Sequence, residues 1–139
     1  MKASIFYRIA AVILLLFAVG HTVGFRQTDP SWGLDTMLAS MRSIHFNAMG
    51  FNRSYMDFFE GLGFQGSVFL LFCALLAWVL GGLPAETLSR LRVARWAFAL
   101  CFAGLAILSW RYLFAIPLGF SIMSTVLLAA AALLPGKSS

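Results

Sequence analysis

At 139 residues the chain has the length of one domain, but 61% of its residues are hydrophobic, 11% are charged and its mean hydropathy is +0.90. A soluble domain carries roughly 25% charged residues. The composition therefore excludes a secreted disulfide scaffold, a disordered tail and a nucleic-acid-binding module, and it indicates a polytopic membrane protein. The formal net charge is +5, but the ten Lys and Arg residues are dispersed at the ends of apolar runs, which is typical of topology signals.

Four apolar runs are long enough to cross a hydrocarbon core of about 30 Å as helices. Glycine and proline end the second run at 81–84 and the fourth at 135–136. The chain is therefore predicted to be one integral membrane domain over 1–139, an all-α, antiparallel, membrane-embedded four-helix bundle. The predicted spans are about 5–25, 55–83, 92–110 and 115–134. A cleaved signal peptide is the alternative for the first run, although apolar residues continue past the weak cleavage site at 18–20.

The basic residues predict the orientation of the spans. Six of them fall on one predicted side and four on the other, while four of the five acidic residues join the smaller group. We therefore expect both termini in the cytoplasm of a bacterium and residues 26–63 outside its cytoplasmic (inner) membrane. The larger group is Lys2, Arg8, Arg90, Arg92, Arg95 and Lys137, and the smaller is Arg26, Arg42, Arg53 and Arg111.

The predicted outer segment, residues 26–63, carries helix signals that a plain connecting loop would lack. Asp29-Pro30 is a good helix start, Gly50 is a natural stop, and the apolar residues between them repeat at three and four positions. This spacing predicts an extracytoplasmic amphipathic helix over about 30–49, lying at the membrane surface or over the mouth of the bundle. Ser54 and Asp57 then have the spacing of a capping box, which predicts that the second span begins near Tyr55.

Polar residues and glycines coincide at the outer membrane boundary. The candidate ligand-binding residues are His21, Arg53, Asp57, Glu60 and Arg111. The glycines predicted to permit close helix packing are Gly20 and Gly24, which form a GxxxG motif, and Gly61, Gly63 and Gly66. The leading hypothesis is a non-enzymatic protein that binds a lipid, a quinone or a partner membrane subunit at this outer mouth, with no resident cofactor and with a homo-oligomer as one possible assembly.

Three alternatives stay open. A small membrane enzyme would use His21 with Asp57 or Glu60 to exchange protons on an apolar substrate, whereas a structural His21 would only stabilise helix packing. An accessory subunit would depend on the glycines alone. Met41, His45 and Met49 recur at every fourth position and are possible Cu(I) ligands, although Met is a common filler of apolar helix faces. Buried, unpaired thiols are expected at Cys73 and Cys101 because both lie inside apolar runs.

Two sequence stretches together carry a family resemblance. Gly20-His21 closes the first span, and Arg53-Ser54-Tyr55-Met56-Asp57-Phe58-Phe59-Glu60-Gly61-Leu62-Gly63-Phe64 opens the second. In these stretches the chain resembles a group of small, uncharacterised bacterial four-span inner-membrane proteins. The resemblance covers the first two spans and the segment between them. It implies the four-helix fold and assigns no activity to any residue.

Overall fold

A computed structural model describes residues 3–134, and it is mostly helical. Four of its helices are long and apolar enough to cross a membrane, which confirms the prediction of four apolar helices. These are α1 (Ala3–Gly24), α3 (Tyr55–Leu80), α5 (Arg92–Tyr112) and α6 (Ala115–Leu133). The other elements are a 3-10 turn (Pro30–Trp32), two short helices, α2 (Asp35–Ser43) and α4 (Ala85–Arg90), and two strands, β1 (His45–Ala48) and β2 (Phe51–Ser54).

Helix α1 packs against both α3 and α6, and α5 packs against α6. The paired helices run in opposite directions, because the start of α1 contacts the end of α3 and the start of α5 contacts the end of α6. Tyr7, Leu14, Phe102 and Leu128 are the large apolar side chains with the least exposure in the shared core. We call the end of the helices where α1 begins and α6 ends the termini face, and the opposite end the loop face.

Most of the surface of the four long helices is apolar and unburied. In the most apolar stretch of each helix, one third of the residues or fewer are buried within the chain. In water this surface would be highly unfavourable, whereas hydrocarbon solvates it without cost. The same distribution corrects the expectation for the cysteines. Both are free, but only Cys73 is buried, whereas Cys101 is exposed on the outer surface of α5.

The segment between α1 and α3 differs from the predicted helix over 30–49. The Asp29 carboxylate accepts the Ser31 N–H at 2.8 Å and caps a single 3-10 turn at Pro30–Trp32, and the Ser31 hydrogen bonds lower the pKa of Asp29. The α-helix is confined to Asp35–Ser43. Residues from His45 onward form an antiparallel β-hairpin with Phe51–Ser54, so the expectation of helix is wrong for residues 44–49.

The hairpin forms because tertiary packing and turn geometry outweigh the helical spacing of its apolar residues. Met49 and Gly50 both have positive φ, at 54° and 93°, as in the type I′ turn that suits the twist of two short strands. The Phe46 ring lies 5.1 Å from that of Tyr55 and 5.8 Å from that of Phe58, centroid to centroid. This aromatic contact attaches β1 to the first turns of α3.

Capping residues and glycines fix both ends of α3. At its start, the Ser54 hydroxyl accepts the Asp57 N–H and the Asp57 carboxylate accepts the Ser54 N–H, which confirms the predicted capping box. At its end, the guanidinium of Arg8 lies 3.7 Å from the centroid of Trp78 and packs over the bare backbone of Gly81. A side chain at 81 would contact Arg8 at 3.2 Å, so this glycine permits the close approach.

Candidate functional site

A polar seam joins α1 to α3 near the loop face and consists of His21, Thr22, Gly63 and Ser67. The His21 Nε2 lies 2.9 Å from the Gly63 carbonyl oxygen. A carbonyl only accepts hydrogen bonds, so Nε2 carries the proton and donates it. Thr22 Oγ1 lies 2.8 Å from Ser67 Oγ and 2.7 Å from the Ala18 carbonyl. The seam therefore satisfies its polar groups between the two helices.

Two of the predicted glycines make room for this contact. A Cβ at Gly66 would lie 2.8 Å from His21 Nε2, and a Cβ at Gly63 would overlap the Phe25 ring. The Phe25 ring in turn stacks on His21 with centroids 5.4 Å apart. Substitution of either glycine must displace one of these rings. The small residues that let α1 and α3 approach closely are therefore Gly63 and Gly66 of α3.

The other predicted packing glycines have no neighbour to accommodate. A Cβ at Gly20, Gly24 or Gly61 would meet no atom within 4 Å in the part of the chain that the structure describes. The GxxxG motif of α1 therefore faces outward. Spacing alone did not reveal which side of α1 contacts α3, because a four-residue repeat defines a stripe on a helix without fixing what that stripe faces.

The five polar residues predicted to form an outer mouth do not converge. Among residues 3–134, no hydrogen bond or ion pair joins any two of them. Asp57 is committed to the Ser54 amide, and the Arg53 Nη1 donates to the Asn52 carbonyl at 2.8 Å. Glu60 and Arg111 are exposed, and neither has a hydrogen-bond partner among these residues. His21 lies in the seam between the helices.

Met41, His45 and Met49, considered as Cu(I) ligands, do not line one face of a helix. Such a site required a continuous helix through all three residues, but the helix ends at Ser43. His45 lies in β1, where its Nδ1 is 3.0 Å from the Ser43 carbonyl oxygen, and Met49 stands at the hairpin tip with 98% of its surface exposed. No cluster of His, Cys, Asp and Glu able to hold a metal occurs within the described residues.

A groove runs along the outward side of α3, close to the loop face. Its volume is about 540 Å³, and its lining is mostly apolar, with three phenylalanines among six residues. The lining residues are Gly61, Phe64, Gln65, Val68, Phe69 and Phe72. They recur at three and four positions, so they form one stripe of the helix. We call this feature the α3 groove.

Gln65 is the one polar side chain in the α3 groove. It is exposed, and its amide has no hydrogen-bond partner among the residues that the structure describes. A hydrocarbon core of about 30 Å, measured from Leu80 at 1.5 Å per residue, ends near Gly61. Gln65 would then lie about 6 Å inside the core. An amide at that depth gains from any hydrogen-bonding partner that approaches the groove.

Arg95 occupies a second polar position, which the sequence reasoning did not identify. It is only 3% exposed, and its guanidinium donates to the Tyr7 hydroxyl, to the Leu88 carbonyl and to the carbonyls of Ala131 and Leu134. The sequence carries one signal for this contact. Pro135 has no N–H, so the Ala131 carbonyl lacks its helical donor and needs another one.

The four apolar helices and their unburied outer surface define a multi-pass membrane protein. Comparisons with models of known protein families, with curated proteins and with solved structures found no significant match. The resemblance to small bacterial four-span proteins stays a prediction.

Proposed function

We propose that this protein is a non-enzymatic membrane protein that binds an apolar molecule carrying a hydrogen-bonding group, a lipid or a quinone, in the α3 groove. The observation that carries the proposal is the exposed Gln65 amide, which has no hydrogen-bond partner among residues 3–134 and lies among the apolar residues of the groove. Ligand sites are typically 300–1,000 Å³, mostly apolar, with a few placed polar groups. The groove, at about 540 Å³ with a single amide, lies within this size range, and it is shallow and open because all of its lining residues belong to one helix.

The setting of the groove is part of the proposal. The four helices form an antiparallel bundle in the cytoplasmic membrane of a bacterium, with both termini in the cytoplasm. The distribution of Lys and Arg supports this orientation. The loop face, the short helix α2 and the hairpin then lie outside, and α2 rests at the membrane surface. The groove opens laterally into the outer half of the bilayer, where a lipid-soluble ligand reaches it without crossing water.

Binding without chemistry is favoured over the enzymatic alternative. Proton exchange between His21 and Asp57 or Glu60 needs these groups in hydrogen-bond reach of one another or of a shared substrate. The His21 Nε2 is instead held by the Gly63 carbonyl, and the Asp57 carboxylate is held by the Ser54 amide. Neither group faces the α3 groove, since neither is among the lining residues. We therefore place binding in the groove and assign His21 to helix packing.

A partner helix, including a second copy of this chain, is the second candidate occupant. A primary amide both donates and accepts, so two Gln65 side chains facing one another across a symmetric interface would satisfy each other. The groove is open along its length, and Gly61 would allow a helix to approach closely. In this alternative the binding site is the same α3 groove, and its occupant is a helix instead of a small apolar molecule.

Photo-crosslinking in membranes separates the two occupants. A photoreactive phenylalanine analogue is placed at Phe72, which lines the groove and is 60% exposed, and in a control at Leu75, which is 61% exposed and lies outside the groove. The proposal predicts a small-molecule adduct at 72 that is absent at 75. A polypeptide adduct at 72 would instead favour the partner helix. Equal labelling by bulk lipid at both positions would contradict a specific site of either kind.

A further inference from the structure

A second cavity lies at the termini face, at the opposite end of the helices from the α3 groove. Its volume is about 330 Å³. One wall carries Ser89, Arg92, Arg95 and Trp96, and the other wall is the last turn of α6 around Leu133. The cavity therefore combines hydroxyl and guanidinium groups with an indole and an aliphatic surface at the end of the apolar helices.

Among residues 3–134, no carboxylate is paired with the positive charge of this cavity. Glu86 is the one acidic residue at the termini face in the described part of the chain, and it is paired with Arg90 at 2.7 Å. Arg92 is exposed and makes no hydrogen bond or ion pair with any described residue. Within the described residues, Arg95 Nη1 donates once, to the Leu88 carbonyl, although that nitrogen carries two N–H groups. Two guanidinium groups thus keep hydrogen-bonding capacity beside one cavity.

We propose that this cavity binds the phosphate group of an anionic phospholipid. A guanidinium binds phosphate oxygens through two parallel N–H groups, so Arg92 and the remaining Nη1 N–H of Arg95 supply the donors, while the Ser89 hydroxyl donates its one proton to the Glu86 carbonyl at 2.6 Å. Trp96 is half-buried and Leu133 is 70% exposed, so acyl chains can continue from the cavity onto the apolar surface of α5 and α6. A free phosphate would use the guanidinium groups alone, whereas a phospholipid uses both kinds of wall.

The test measures lipid retention and stability in vesicles of defined composition. The full-length protein is reconstituted in phosphatidylcholine alone and in phosphatidylcholine with phosphatidylglycerol, and bound lipid is counted after gentle detergent extraction. We expect retention of the anionic lipid by the natural protein and by Arg90→Gln, because Arg90 lies outside the cavity. We expect roughly tenfold weaker retention by Arg92→Gln, the order of effect for losing a charge-assisted hydrogen bond.

Two controls separate loss of lipid binding from unfolding and from loss of charge. Arg92 is exposed, so Arg92→Gln should unfold at the same temperature as the natural protein in phosphatidylcholine alone. Arg92→Lys keeps the charge and should restore part of the retention. Equal loss in Arg90→Gln and Arg92→Gln would indicate diffuse surface charge and would overturn the proposal. Displacement of the lipid by inorganic phosphate would overturn the phospholipid as the source of the phosphate.

Discussion

The Nε of Arg95 donates a hydrogen bond to the hydroxyl oxygen of Tyr7 across 3.2 Å, and this contact joins α5 to α1 inside the protein. The same guanidinium holds the end of α6 through the carbonyls of Ala131 and Leu134. A buried charge is unfavourable unless it is hydrogen-bonded, and the carbonyl ends of helices carry partial negative charge. Arg95 therefore connects three of the four long helices at the termini face.

Replacement of Arg95 should destabilise the fold more than loss of any other basic side chain at this face. Arg95→Gln leaves several buried carbonyls without a donor, so we expect the free energy of unfolding to fall by about 3 kcal/mol or more. Tyr7→Phe removes one partner of the guanidinium and should cost about 1 kcal/mol. Arg90→Gln, which breaks an exposed pair, should cost less than about 1 kcal/mol. Thermal unfolding in detergent ranks the three variants, and equal effects would disprove the anchoring role.

Gly66 of α3 and Gly20 of α1 should respond in opposite ways to alanine. Gly66→Ala places a methyl group 2.8 Å from the His21 Nε2 and should lower stability by about 1–3 kcal/mol, the usual cost of overpacking. Gly20→Ala meets no atom within 4 Å and should raise stability by up to about 1 kcal/mol through helix propensity. Unfolding temperatures in detergent test this. A destabilising Gly20→Ala would mean that the GxxxG stripe has a partner after all.

The hairpin tip offers a test confined to a few residues. Met49 adopts a left-handed backbone conformation, which costs a residue with a Cβ about 1–2 kcal/mol and costs Asn or Gly less. Met49→Asn should therefore protect the hairpin, whereas Gly50→Ala, at φ 93°, should open it. Amide hydrogen exchange over residues 45–54 measures both effects. Equal exchange rates in the two variants would contradict a type I′ turn at Met49 and Gly50.

The capping box at the start of α3 gives a further stability prediction. Ser54 is 3% exposed, and its hydroxyl accepts the Asp57 N–H at 3.2 Å. Ser54→Ala should cost about 1 kcal/mol, whereas Ser54→Thr keeps the hydroxyl and should cost less. Helix content and unfolding temperature in detergent report the difference. Identical behaviour of the alanine and threonine variants would show that this cap adds nothing to the fold.

The sequence predicts the long helices well because their signal is local. Four apolar runs, the second and fourth of them ended by glycine and proline, can be recognised without information from distant residues. The capping box of Ser54 and Asp57 is also local, and the structure contains it. By contrast, the hairpin depends on Phe46 packing against Tyr55 and Phe58, so the helical spacing of residues 30–49 gave a wrong prediction for residues 44–49.

The candidate site was harder to predict because it depends on which way each helix face turns. Shared depth placed His21, Asp57, Glu60 and Arg111 together in sequence reasoning, but depth leaves the rotation of each helix undetermined. The structure turns His21 toward Gly63 and leaves the other three apart from it. Gln65 and Arg95 were missed for the same reason. A single amide or guanidinium in a helix shows its importance only when its neighbours are known.

Native mass spectrometry of the protein extracted in mild detergent, with an optical spectrum of the same sample, tests the central proposal most directly. The natural protein and Leu75→Ala should each carry one apolar molecule of defined mass, and a quinone would also show its absorption. Gln65→Leu keeps the bulk of the side chain but lacks the amide, so it should lose that molecule while remaining folded. Retention of the same molecule by Gln65→Leu, or its absence from the natural protein, would contradict ligand binding in the α3 groove.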